Sequence, residues 1–187
     1  MTRTSSLVPA IALGVALFAA PAAAQQASQH ATLSQTVYLT DITVEYDRPV
    51  ARGRALFGEL IEWDVIWTPG ANRATWIEFS DPVTFEGHEL EAGRYGLWTI
   101  PHEDEPWEVI LVSEWDTHHS YFSFETEVLR TGVTPTEAEH MEVLGYYFPD
   151  VGSQQATLRL HWGTTVLPLR IEVAHLEVRE RGPRAHP

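Results

Sequence analysis

The stretch A-T-L-R-L-H-W-G-T-T-V-L-P-L-R-I-E-V, residues 156–173, decides the fold. Ala156, Leu158, Leu160 and Trp162 alternate with Thr157, Arg159 and His161. Leu167, Leu169, Ile171 and Val173 then resume the apolar series, with Arg170 and Glu172 opposite. Side chains that change sides at every residue belong to a pleated strand with one wet face. Gly163-Thr164 suits a two-residue turn with glycine first, so the stretch predicts a hairpin.

The same period recurs upstream. Val37 and Leu39 share a face, then Ile42, Val44 and Tyr46; the phase changes across Thr40-Asp41, which predicts a bulge or tight bend. Val83 and Phe85 alternate with Thr84 and Glu86, Gly87-His88 supplies a turn, and Leu90, Tyr95 and Leu97 follow. Residues 107–112 are apolar apart from Glu108, as in a strand covered on both faces. Leu144, Tyr146 and Phe148 alternate once more. Residues 113–127 read as a loop with a short strand, and residues 136–141, containing Glu137-Ala138-Glu139, as a single helical turn. The sum is an all-β chain: one antiparallel β-sandwich or barrel-like domain of about eight or nine strands.

The ends read differently. Residues 1–24 join Arg3, an apolar run over residues 7–20 and Ala22-Ala23-Ala24, the pattern of a cleaved signal peptide. Residues 25–34 read as a disordered lead-in, 35–174 as the β-rich domain and 175–187 as a disordered tail. Export to the periplasm or outside the cell is the expectation, with no membrane span after cleavage. The chain has no Cys, which excludes disulfides, thiolate metal sites and Cys nucleophiles. All 12 basic residues are Arg against 26 acidic ones, and removing Arg3 with the leader takes the net charge from −14 to −15. That balance repels phosphate backbones, so nucleic acid is not an expected partner.

Residues 56–79, L-F-G-E-L-I-E-W-D-V-I-W-T-P-G-A-N-R-A-T-W-I-E-F, set Trp63, Trp67 and Trp76 around a Pro69-Gly70-Ala71-Asn72 turn. Gly70 or Asn72 would accept a left-handed backbone there. Together with T-D-I-T-V-E-Y-D-R-P (residues 40–49), G-R-A-L-F-G (53–58), L-E-A-G-R-Y-G-L-W-T-I-P (90–101) and the closing hairpin, the string V-I-W-T-P-G-A-N-R-A-T (65–75) resembles the secreted bacterial family known as domain of unknown function 2911. Pro69 departs from that pattern, which has a basic residue before the glycine. The resemblance implies export and a compact β-rich domain, and brings no activity.

Three constellations could carry chemistry. Trp76 and Trp98 lie opposite the best apolar stripe, so they form either an exposed platform for a ring or part of a second covered layer. Arg48, Arg52, Arg54, Asn72, Arg73 and Thr75, near Trp67, could hold a carboxylate or other anion, or could satisfy backbone carbonyls and neighbouring carboxylates instead. His102-x-Asp104 and Asp116-x-His118, with His119, offer imidazole and carboxylate ligands but no recognised metal spacing. No G-x-S-x-G and no glycine-rich phosphate loop is present. The expectation is therefore a monomeric, non-catalytic module without a cofactor, binding a small molecule or an envelope partner through Arg48, Arg54, Trp67, Asn72, Thr75, Trp76 and Trp98. The rivals are a metal-dependent hydrolase or carrier using His102, Asp116, His118 and His119, and a structural envelope component.

Overall fold

The computed structural model describes residues 28–173. The leader over 1–24 and the tail over 175–187 lie outside the described residues. Ten strands run in chain order: β1 (Gln29–Val37), β2 (Thr40–Arg48), β3 (Trp76–Phe79), β4 (Val83–Phe85), β5 (His88–Leu90), β6 (Gly93–Ile100), β7 (Trp107–Val112), β8 (Glu127–Val133), β9 (Thr136–Val151) and β10 (Gln155–Val173). They form two antiparallel sheets, one of six strands in the order β1-β2-β3-β6-β7-β8 and one of four in the order β5-β4-β10-β9. The arrangement is a sandwich and not a closed barrel.

The two inner faces bury one core. From the larger sheet come Ile42, Val44, Ile77, Phe79, Leu97, Val109 and Leu111; from the smaller come Phe85, Leu144, Leu158, Leu160, Leu167, Leu169 and Ile171. Most of these are residues that the alternating stretches and the apolar run over 107–112 single out. Each large aliphatic or aromatic side chain so buried stabilises the sandwich by about 1.5–3 kcal/mol. The outer face of the six-stranded sheet carries a smaller cluster, Ala74, Trp98, Ile110 and Val112, roofed by Ile66 and Phe122. β7 is thus covered on both faces, as its apolar run predicts.

The final hairpin is a correction. Residues 155–173 are one continuous strand, which β9 follows from Ala156 to Val166 and β4 joins at residues 171–173. Gly163 takes φ 60 and pairs with Met141, with register shifts on both sides. A left-handed glycine can reverse a chain or insert extra residue into a strand, and here it does the latter. The bulge accounts for the phase switch between Trp162 and Leu167: both alternations face the core from one bent strand.

Three other readings shift. Residues 136–141 are the start of β9 and not a helical turn. Residues 29–34, read as part of the lead-in, pair with β2 from Gln29↔Arg48 inward; an edge strand held by backbone bonds needs no apolar stripe to announce it. The phase change at Thr40-Asp41 is a tight turn at Tyr38-Leu39, with Tyr38 at φ 56, between two separate strands.

Candidate functional site

Between β2 and β3 the chain leaves the larger sheet and crosses to the other one. Ala51 N–H donates to the Glu142 carbonyl and Leu144 N–H to the Pro49 carbonyl, which fastens the segment to β9. Trp67 then exchanges two backbone hydrogen bonds with Thr99 of β6, at 2.7 and 2.8 Å. The excursion therefore ties the two sheets together at one end of the sandwich.

Its last part is the tryptophan-bearing turn. Asn72 takes the left-handed backbone, φ 59, while Gly70 is kept small for another reason: a Cβ there would stand 2.5 Å from Thr75 Oγ1. Thr75 is fully buried and closes the turn, its N–H donating to Thr68 Oγ1 and its hydroxyl to the Pro69 carbonyl. Tyr146 donates to the same carbonyl at 2.9 Å. Burial, with Tyr46 beside it, pushes the Tyr146 phenol well above the ordinary range, so it remains a neutral donor. The turn is braced from outside as well: Ala74 N–H donates to Thr117 O and His119 N–H to Asn72 O, pairing residues 72–74 with residues 117–119 as a ridge.

On one flank of this ridge lies the turn cleft, about 600 Å³, lined by Pro49, Val50, Arg52, Arg54, Leu60, Ile61, Trp67, Asn72, His119 and Trp162 among others. Among the described residues no Asp or Glu lines it. Trp67 and Trp162 stack with ring centres 6.2 Å apart and planes at 23°. Trp162 is 2% exposed, and its indole N–H has no acceptor. Arg54 donates through Nε to the Ala51 carbonyl and through Nη2 to the Val50 carbonyl. These two acceptors are neutral carbonyls, and Glu142 is the carboxylate that feels the Arg54 charge through space.

On the other flank is an acidic cleft of about 180 Å³, with Glu45, Asp47, Arg73, Trp76, Arg94, Trp115 and Asp116 in its walls. Here the cations are paired: Arg73 with Asp116, and Arg94 with Glu78 at 2.9 Å. Arg94 also lies between two indoles, 3.9 Å from Trp76 and 4.4 Å from Trp115. Asn72 Nδ2 donates to Asp47 Oδ2 at 3.2 Å, joining the flanks through the ridge.

A family model described as a protein of unknown function, DUF2911, matches residues 28–171. The chain belongs to the DUF2911 family. No match is found among curated proteins or among solved structures. In this DUF2911 member, the residues suggested by sequence divide. Arg54, Trp67 and Asn72 meet at the turn cleft. Arg48 instead donates to the Leu144 carbonyl, and Thr75 is interior. Trp76 lies in the acidic cleft at 8% exposure, and Trp98 is closed under Phe122 at 1%, so neither offers an open platform.

The four residues of the metal reading are not brought together. His102 stands 2.5 Å from Asp64 and 3.8 Å from Glu108, Asp116 pairs with Arg73, and His118 Nδ1 meets Ser120 Oγ at 2.8 Å. Among the described residues no group of three or more His, Asp or Glu side chains is placed to hold a metal ion. Sequence reasoning missed Trp162 as a wall of the cleft, because its place in the apolar alternation marks it only as core. The neighbouring Gly163, read as a bulge, was the available signal.

Proposed function

We propose that this DUF2911 chain is a non-catalytic binding module for a small carboxylate-bearing molecule, taken up in the turn cleft. One observation carries the reading. In a chain with 26 acidic residues against 12 basic ones, the described residues that line this cleft include no carboxylate, and its Arg54 guanidinium donates to two carbonyls. The Arg54 guanidinium is exposed and bonded to neutral carbonyls, so it remains a partner for an anion, and Trp67 and Trp162 line the same cleft. The nearby Glu142 carboxylate is held by His140 and by the Arg52 backbone N–H, which draw its pKa below the ordinary range, the His140 contact most, with a smaller contribution from the Arg54 charge.

Titration of the full chain with benzoate, benzylamine and benzyl alcohol, followed by calorimetry, tests the reading. Benzoate binds saturably, benzylamine does not, and Arg54→Gln weakens benzoate by about tenfold, the loss of one charge-assisted contact. Equal binding of all three, or benzoate binding indifferent to Arg54→Gln, overturns it. The module is further proposed to act as a monomer after export and loss of residues 1–24, the small residues at Ala22 and Ala24 supporting cleavage there. Amino-terminal sequencing that begins at Met1 would refute the cleavage.

A further inference from the structure

The turn cleft has a neighbour. A second cleft of about 360 Å³ opens on the far side of Arg54 and Trp162, which line both; its other walls are Leu56, Phe57, Trp63, His140 and residues 163–165 of the bulge. This bulge cleft also lacks a carboxylate, whereas three other clefts are lined by Glu45, Asp47 and Asp116, by Asp150, or by Glu103, Asp104 and Glu105. A single aromatic tract underlies the pair. Trp67 stacks on Trp162, Trp162 meets Phe57 edge-on at 6.4 Å, and Phe57 stacks on Trp63 at 6.2 Å.

Taking the turn cleft as the binding site, we propose that the two clefts form one site for an elongated amphiphilic carboxylate, with its charged head at Arg54 and its apolar chain in the bulge cleft. Two features argue for this occupant. The rings stack on one another, so much of their facial area is already covered; a flexible chain that follows the groove past their edges suits this floor better than a flat sugar ring. The bulge cleft contributes Leu56, Phe57 and Trp63, apolar area that a short anion would leave wet. Gly163 keeps the groove's far end low, since a Cβ there would stand 2.8 Å from Leu56 Cδ1.

The test is a chain-length series on the full chain, from butanoate to decanoate below micelle formation, with decyltrimethylammonium as the charge-reversed control. Each added methylene that enters the bulge cleft tightens binding by up to about fourfold. Thr164→Trp, on the exposed rim, plugs the cleft and returns decanoate to the affinity of butanoate while leaving benzoate unchanged; Thr165→Trp, which lines the bulge cleft and not the turn cleft, does the same if the first variant folds poorly. Affinity that does not grow with chain length, growth that survives both plugs, or a cationic control that binds as tightly as decanoate each overturns the proposal. Arg54-dependent benzoate binding without a length effect removes this inference alone. Loss of both removes the binding reading with it.

Discussion

The turn cleft and the acidic cleft flank one ridge, yet they treat charge in opposite ways. In the acidic cleft each guanidinium is matched by a carboxylate, Arg73 by Asp116 and Arg94 by Glu78, and Arg94 is also held between two indoles. In the turn cleft, Arg54 donates to carbonyls of its own loop and reaches the Glu142 carboxylate only through space, with no ion pair between them among the described residues. The first arrangement closes a surface; the second leaves a field. Composition therefore says little about local affinity: the chain as a whole is strongly acidic, and the sign at a site follows from what each arginine is bonded to.

The contrast is broken most severely at the tryptophans. Trp162→Ala empties a fully enclosed site beneath the turn cleft and costs about 3–5 kcal/mol in chemical denaturation. Trp115→Ala, on the half-exposed wall of the acidic cleft, costs about 1 kcal/mol or less by the same measurement. Similar losses for the two would mean that the acidic flank is equally integral to the fold. Next in size is the link between the flanks. Asn72→Ala puts a Cβ-bearing residue without a local hydrogen bond at φ 59 and removes a partner of the largely buried Asp47, costing about 1–2 kcal/mol. Asn72→Gly, which keeps the backbone conformation, costs less, and thermal unfolding ranks the two.

The smallest effect is the pH response of the ridge. Partial burial, with His118 beside it, holds the His119 imidazole below its ordinary pKa of 6.5. The unfolded chain therefore takes up this proton first as pH falls. Stability is complete above about pH 6.5 and declines as pH drops through the depressed folded value. Denaturation midpoints at pH 7.5 and 5.5 should differ slightly, and His119→Gln should reduce the difference. The carboxylates Glu127 and Glu142, whose pKa values the fold lowers, lose their stabilising contribution only nearer pH 4.5 and below.

Much of this architecture was legible in the chain. Residues 42–46, 95–97 and 109–112 alternate or run apolar because the sheets' inner faces must be dry, and one face of a strand needs no distant information to declare itself. Gly163 shows the limit. A left-handed glycine between two alternating runs fits a turn or a bulge equally well, and the choice was made by β9, which follows the strand past the break. The aromatic residues show the same ambiguity. Trp98 and Trp76 differ from exposed platforms only through residues 113–122 and the turn that fold over them. The absence of carboxylates from the turn cleft is not written in any one segment, because its walls come from residues 49–72, from His119 and from Trp162.

The crossing segment between β2 and β3 has a kinetic consequence. It is knotted by backbone bonds to β9 and β6, elements far apart in sequence, so it can settle only once both sheets stand. The proposed binding surface then forms late, and an occupant of it would act as a clasp that favours the joined layers by mass action.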